Sequence, residues 1–167
     1  SADPLLLNRG PDNSFIKTRI ASIEIGDEIL GEDSWVLVTN KFNKGLKKLL
    51  GFTLSNGSTL KCTPDHKLLV VPKMHPNTGA LECLASDINV GADLLTGNRL
   101  LLDLPIKNRP ELLIYNTHTP GVMARVVEKC DLYYDYTIDI STSTGRFYLP
   151  ENNIISHNCD DATVLVA

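Results

Sequence analysis

The sequence predicts an all-β domain, on three observations. Short apolar runs of strand-type composition recur along the chain; Gly, Pro, Asn and Asp punctuate them; helical patterning is scarce. At 167 residues the chain is within the range of a single domain with a substantial buried core, and one domain is the simplest count.

In chain order, Trp35-Val36-Leu37-Val38 is a β-rich run. Leu50-Gly51-Phe52-Thr53-Leu54 and Ser58-Thr59-Leu60-Lys61-Cys62 then flank Ser55-Asn56-Gly57, a hairpin signal. A two-residue Asn-Gly turn would set Phe52 opposite Lys61. A three-residue loop with Gly57 left-handed sets Phe52 opposite Leu60 and Leu50 opposite Cys62. Opposed residues share a face, so the second register collects the apolar side chains on one side and is the one expected. Residues 72–80, with Pro72, Pro76 and Gly79, read as a loop, and so do residues 105–121, with Pro105, Pro110, Pro120 and Gly121.

No stretch approaches the ~20 apolar residues of a membrane-spanning helix, and no basic segment followed by an apolar one marks a secretory signal. A soluble chain with no membrane partner is expected. The net charge of -4 argues against a nucleic-acid surface, which is normally basic. Lys44, Lys47 and Lys48 form the notable basic cluster, which reads as a solvated loop rather than a phosphate site. The four cysteines, Cys62, Cys83, Cys130 and Cys159, show no CxxC pair, so neither a zinc site nor a thioredoxin-like motif is indicated. The first three read as small, mostly buried apolar residues. A structural disulfide stays open on sequence alone, although nothing implies an oxidising compartment. His75 and His118, in the two Pro-containing loops, read as solvated. No metal or organic cofactor is implied.

Two constellations carry chemistry. The first is Ile154-Ile155-Ser156-His157-Asn158-Cys159. An Asn side-chain amide can attack its own carbonyl, close a succinimide and expel the next residue, a reaction favoured by proximity and assisted by proton transfer from a neighbouring His. Cys159 would be the residue set free, and its thiol can also accept an acyl group. The second is Leu60-Lys61-Cys62-Thr63-Pro64-Asp65-His66-Lys67-Leu68-Leu69-Val70, which sets Thr63 and His66 three residues apart in a bend between two apolar strands. Read alone, His66 could end a turn and Thr63 could cap it.

Read together, these elements resemble the intein family, or more broadly the Hint self-processing domains shared with hedgehog proteins. Members carry a Thr-x-x-His element that grips the upstream scissile peptide, and here it falls on Thr63 and His66. Ile20-Ala21-Ser22-Ile23-Glu24-Ile25-Gly26-Asp27-Glu28-Ile29-Leu30 is similar to the segment in which a Gly-Asp turn leads into a strand. Ala85-Ser86-Asp87-Ile88-Asn89-Val90-Gly91-Ala92-Asp93-Leu94-Leu95 reads as its internal echo. Tyr134-Asp135-Tyr136-Thr137-Ile138 resembles the aromatic-Asp strand that precedes the C-terminal junction, with Asp135 at a position that often tunes the Cys159 thiol or couples the steps. Arg146 stands where many inteins carry a second histidine, with Tyr148 as the usual aromatic two residues on, and is a candidate helper. The interval between His66 and Tyr134 is too short for the homing endonuclease that many inteins hold, so the resemblance is to a mini-intein.

The start departs from the family, which normally opens with Cys, less often Ser or Ala, and then a first strand. Leu5-Leu6-Leu7 can be that strand, after a shortened approach. Either Ser1 is the first nucleophile, native or replacing a cysteine, or Ser1 is an upstream flanking residue and Ala2 stands where a cysteine was removed. Both imply a sluggish first step, because a serine hydroxyl is weak without an activating base and alanine has none.

The resemblance implies a flattened, mostly antiparallel β horseshoe whose ends meet at its centre, bringing Ser1 or Ala2, His66 and Asn158 together. It implies a splicing domain over residues 1–158, starting at residue 2 on the second reading, with residues 159–167 as downstream host (extein) sequence. The activity implied is single-turnover autocatalysis in cis, not enzymatic turnover. Ser1 attacks the preceding carbonyl while His66 protonates the departing nitrogen and Thr63 holds the peptide; Cys159 takes the acyl group; Asn158 cyclises with help from His157; an S-to-N shift joins the flanks. Its partners would be its own two exteins, on a monomer, in the compartment of its host, expected to be the cytoplasm. Other readings are a Hint-type domain that cleaves without ligating, a cysteine hydrolase acting in trans through Cys159 with His66 or His157, and a plain β-barrel binding module.

Overall fold

Two strands far longer than the sequence suggests organise the chain. The computed structural model describes residues 4–32, 34–73, 79–97 and 123–157. Among these, β1 (Leu5–Arg9), β2 (Phe15–Arg19) and β3 (Glu28–Leu30) lead into β4 (Trp35–Leu54). Then come β5 (Thr59–Cys62), β6 (Lys67–Val70), β7 (Leu81–Leu84), β8 (Asp93–Leu94), β9 (Ala124–Thr142), β10 (Arg146–Leu149) and β11 (Ile154–His157). All pairings between these strands are antiparallel, and the backbone path runs β10-β11-β6-β8-β9-β4-β3-β1-β2, with β5 on β4 and β7 on β6. The all-β class therefore holds, and Leu5-Leu6-Leu7 does lie in a first strand.

The expectation of short strands does not hold for β4 and β9, 20 and 19 residues long. They pair along almost their whole length, with register shifts at Val38/Asn40, Asn43/Gly45, Lys48/Leu50 and Thr53/Leu54. Each bulge bends and twists the ribbon, so one pair can serve two ends of the molecule: β3 adds beside Trp35–Leu37 and β5 beside Leu50–Thr53. The Asn43-Lys44-Gly45 step, which reads as a loop in sequence, is one of these bulges. Lys44 thus belongs to a strand, which corrects the solvated-loop reading of the basic cluster.

The β4–β5 hairpin has the expected register, with Leu50 opposite Cys62 and Phe52 opposite Leu60. Gly57, at φ +87°, closes the loop by donating its amide to the Leu54 carbonyl at 2.9 Å.

The internal echo is a repeat in the backbone itself. The Ile20–Ser22 and Ala85–Asp87 segments are each one turn of 3-10 helix, closed by Ile23 N–H to Ile20 O and Ile88 N–H to Ala85 O, both 3.2 Å. Asp27 N–H to Glu24 O and Ala92 N–H to Asn89 O follow, both 3.1 Å. Gly26 and Gly91 sit at φ +96° and +97°, where a Cβ would be strained, and each donates its amide at 2.8 Å, to Val38 and Val126 respectively. Val38 and Val126 return the bond to Asp27 and Ala92. One copy is thus pinned to β4 and the other to β9. Ala92, not Asp93, takes the place of Asp27.

Alternation along β10 and β11 sorts the core in two. Phe147, Leu149 and Ile154 join Leu68, Phe52, Ile23 and Ile88 in the main cluster, while Tyr148 and Ile155 join Leu7, Leu30 and Leu69 on the other face. Tyr148 is 2% exposed and its hydroxyl donates to Asn153 Oδ1 at 2.6 Å. A Cβ built on Gly97 would collide with the Tyr148 ring. Gly97→Ala is therefore expected to cost about 1–3 kcal/mol of stability, the usual range for overpacking, measurable as a lower urea midpoint.

Candidate active site

Sequence order places Thr63 and His66 just past β5, and backbone bonds lock the turn that carries them. The His66 amide donates to the Thr63 carbonyl at 3.1 Å, the Ala85 amide to the His66 carbonyl at 2.8 Å and the Ser86 amide to the Pro64 carbonyl at 2.9 Å. The second copy of the repeat thereby clamps the turn. Beside it lies a cavity of about 70 Å³ lined by Pro4, Cys62, Thr63, His66, Asp139 and Ser156, among others.

The His66 ring bridges two strands. Nε2 lies 2.7 Å from Ser156 Oγ of β11, and Nδ1 lies 3.6 Å from Asp139 Oδ2 of β9. The first is a hydrogen bond, while the second is an ion-pair distance, too long for a good hydrogen bond. With a carboxylate facing Nδ1, the neutral ring keeps its proton there and Nε2 accepts the Ser156 hydroxyl proton. All three groups are nearly removed from water: Ser156 is fully buried, and the His66 and Asp139 side chains are 12% and 10% exposed. Asp139 Oδ1 accepts the Ile140 amide at 2.8 Å. Lys44 Nζ stands 4.0 Å from Asp139 Oδ2 and 3.9 Å from Asp65 Oδ2, a cation between two carboxylates.

Burial works against ionisation of Asp65, but its hydrogen bond with the Thr63 side chain and the Lys44 and Lys47 charges outweigh it and hold the carboxyl below its ordinary range. Asp65 thus favours the folded state above the unfolded value of ~3.9, and that contribution is lost as pH falls through its lower folded value. Burial, and then the charges of Asp65 and Asp139, push the Cys62 thiol up to about 12. Cys62 is thus a protonated, unreactive thiol at neutral pH. Cys130 is exposed and Cys83 half-buried, so the expectation of mostly buried cysteines fails for Cys130; all three are free thiols. Iodoacetamide on the folded chain is expected to label Cys130 and spare Cys62 until denaturant is added, as read by peptide mapping.

His157 occupies the other face of the same sheet. Ser156 and His157 are neighbours on β11, so they point to opposite sides. His157 Nε2 lies 2.9 Å from Glu82 Oε1 on β7, and Arg146 stands directly opposite His157 in the β10–β11 pair. The Arg146 guanidinium reaches Glu32, Nη1 to Oε2 at 2.8 Å, and is half-buried rather than free on the surface.

The structure thus brings Thr63 and His66 to one cavity with β11, and sets Arg146 beside His157. It does not place Asp135 in the cavity lining: this residue lies opposite Lys47 and its Oδ1 accepts the Tyr136 amide at 2.8 Å. The lining carboxylate is Asp139, four residues further along β9. Sequence reasoning also passed over Ser156, Lys44 and Glu82. Asp139 left one signal, a carboxylate set between two isoleucines, Ile138 and Ile140. Glu82 left none. Ser1, Ala2, Asn158 and Cys159, with His75, His118 and the loop at residues 105–121, lie outside the described residues.

No family model and no curated protein matches the sequence. Solved structures do. A DnaB intein from Synechocystis sp. PCC 6803 superposes with a TM-score of 0.69 at 15% identity, covering 96% of this chain and 97% of its own. The Ssp DnaB mini-intein variant M86 gives 0.67 at 16% identity, over 96% of this chain and 92% of its own. The gp41-1 intein gives 0.62 at 22%, over 95% and 100%. The fold of this chain, over nearly its whole length, is the intein fold at the size of a mini-intein.

Proposed function

We propose that this chain is a self-splicing domain that excises itself from a host protein and joins the two flanks. One observation carries the reading: the 2.7 Å contact between His66 Nε2 and Ser156 Oγ, at a cavity that Pro4 also lines. It ties the Thr63–His66 turn to the strand that leads into His157-Asn158-Cys159, at a cavity where Pro4, the first described residue, also lies. Acyl transfer between two distant junctions needs that convergence.

In the first step Ser1 Oγ, or a thiol in its place, bonds to the upstream carbonyl carbon and its proton passes to His66; the carbon–nitrogen bond then breaks and the imidazolium returns that proton to the nitrogen. Asp139 stands behind the ring and faces the imidazolium as its counter-charge, with Lys44 beside that carboxylate. Cys159 Sγ next bonds to the acyl carbon, the ester bond to Ser1 Oγ breaks and the thiol proton ends on that oxygen. The Asn158 side-chain nitrogen then bonds to its own carbonyl carbon, breaking the bond to Cys159, with His157 moving the proton. Finally the freed Cys159 amine bonds to the acyl carbon of its own thioester, the carbon–sulfur bond breaks and the sulfur takes the amine's proton to become a thiol again. Residues 159–167 are downstream host sequence on this reading.

Size argues against the hydrolase acting in trans. The His66 cavity is far smaller than the ~300–1,000 Å³ of ordinary ligand pockets. A wider groove opens past Pro4, Leu60 and Lys61, but among the described residues its lining holds no cysteine and no histidine. Cys62, which shares the cavity with His66, is held as a thiol. The chain should turn over no unrelated peptide and should react with no activity-based thiol probe at His66-dependent rates, while changing its own mass on incubation. Turnover of an external peptide, lost on His66→Ala, would decide for the hydrolase.

A further inference from the structure

The strand register brings a residue to His157 from outside every motif in the sequence. Ser156 stands opposite Leu68 and Leu68 opposite Cys83, so β11, β6 and β7 run side by side. The side chains next to these three, on the opposite face, include His157, Lys67 and Glu82. Glu82 reaches across β6, placing Oε1 2.9 Å from His157 Nε2 and Oε2 3.9 Å from Lys67 Nζ. The His157 side chain is 18% exposed and that of Glu82 50%, so a half-exposed carboxylate meets a mostly covered imidazole. Two cations of the neighbouring strands have carboxylate partners: Arg146, opposite on β10, pairs with Glu32 at 2.8 Å, and Lys67 pairs with Glu82 itself.

We propose that Glu82 is a positioning residue for His157, fixing which ring nitrogen exchanges the proton in the C-terminal cut. This rests on the reading of that cut as Asn158 cyclisation. A carboxylate accepts only from N–H, so Nε2 keeps its proton and the neutral ring carries its lone pair on Nδ1. Nδ1 takes a proton from the Asn158 side-chain amide as the new carbon–nitrogen bond forms. It returns that proton to the Cys159 nitrogen as the old bond breaks, so His157 ends as it began. Between the two transfers the ring is an imidazolium, and Glu82 is the counter-charge 2.9 Å away. A single step of proton traffic thus depends on a strand far from the junction in sequence.

The test compares the full chain with Glu82→Gln, Glu82→Ala and, as a control on the other partner of the carboxylate, Lys67→Gln. Release of residues 159–167 is timed by mass spectrometry, and the His157 ring nitrogens are read by 15N NMR, assigned through His157→Gln. The expected result is Nε2–H in the unsubstituted chain, a mixed tautomer in Glu82→Ala and release slowed roughly tenfold to a hundredfold, the scale of a misplaced catalytic group. Glu82→Gln, whose carbonyl still accepts Nε2–H, should restore the tautomer and part of the rate, and Lys67→Gln should change neither. If Glu82→Ala releases at the unsubstituted rate with Nε2–H still in place, the Glu82 inference falls alone. If the unsubstituted chain releases nothing, the cyclisation reading falls and takes this inference with it.

Discussion

Replacing Asn158 with alanine is expected to leave residues 159–167 attached however long the chain is incubated. Alanine has no amide to close on the carbonyl, so the only route to the succinimide is gone and the rate should fall below detection. His157→Ala is expected to slow release by ~10²–10⁴, the usual contribution of a positioned proton-transfer group, without removing it. The difference between the two follows from their roles: one residue supplies the bond-forming atom, the other moves a proton that water can also move slowly. Intact mass against time measures both. Release from Asn158→Ala at the unsubstituted rate would rule out cyclisation as the route.

The second large effect is expected at the other junction. In a chain with Ser1→Cys and an upstream tag, His66→Ala should cut upstream cleavage by ~10²–10⁴, since the departing nitrogen loses its proton donor. Asp139→Asn should slow the same step by a smaller factor, because the imidazolium keeps its hydrogen bonds and loses only the facing charge. Asp135→Asn should slow it least, since Asp135 is absent from the cavity lining and bonds the backbone of its own strand. Thiol-induced cleavage, resolved on a gel, ranks the three. The reverse order for the two aspartates would return the role to Asp135 and remove Asp139 from the mechanism. Both Asp139→Asn and His66→Ala should be checked for folding by circular dichroism, because each empties part of a buried charge cluster.

Much of the fold was legible because it is written locally. Gly57 determines a hairpin register through one left-handed residue, and Gly26 and Gly91 mark the two copies of the repeat in the same way. Thr63 and His66 were legible because their spacing lies within one turn, and the terminal triplet because its chemistry is sequential. What stayed hidden depends on pairing across the long ribbon. Asp135 and Asp139 lie four residues apart on one strand, and simple alternation would put both on one face. What separates them is position along the ribbon: Asp135 pairs with Lys47 on one side of the β4 bulge at Asn43/Gly45 and Asp139 with Phe42 on the other, and the cavity lies at the Asp139 end. The same bulge turns Lys44 from an apparent loop lysine into the cation beside Asp139. Glu82 could not be read at all, since its role exists only once β6 lies between β7 and β11.

The most direct measurement is the mass of every species formed by the Ser1→Cys chain carrying an upstream tag, incubated with no added enzyme or substrate. The account predicts a ligated product, tag joined to residues 159–167 by an ordinary peptide bond. It also predicts an excised domain ending at residue 158, lighter by one water than its free-acid form because the terminal Asn is a succinimide. Both should vanish in Asn158→Ala. An unchanged precursor under reducing conditions, or two separated flanks with no ligated product and a domain ending in the free acid from the outset, would contradict it.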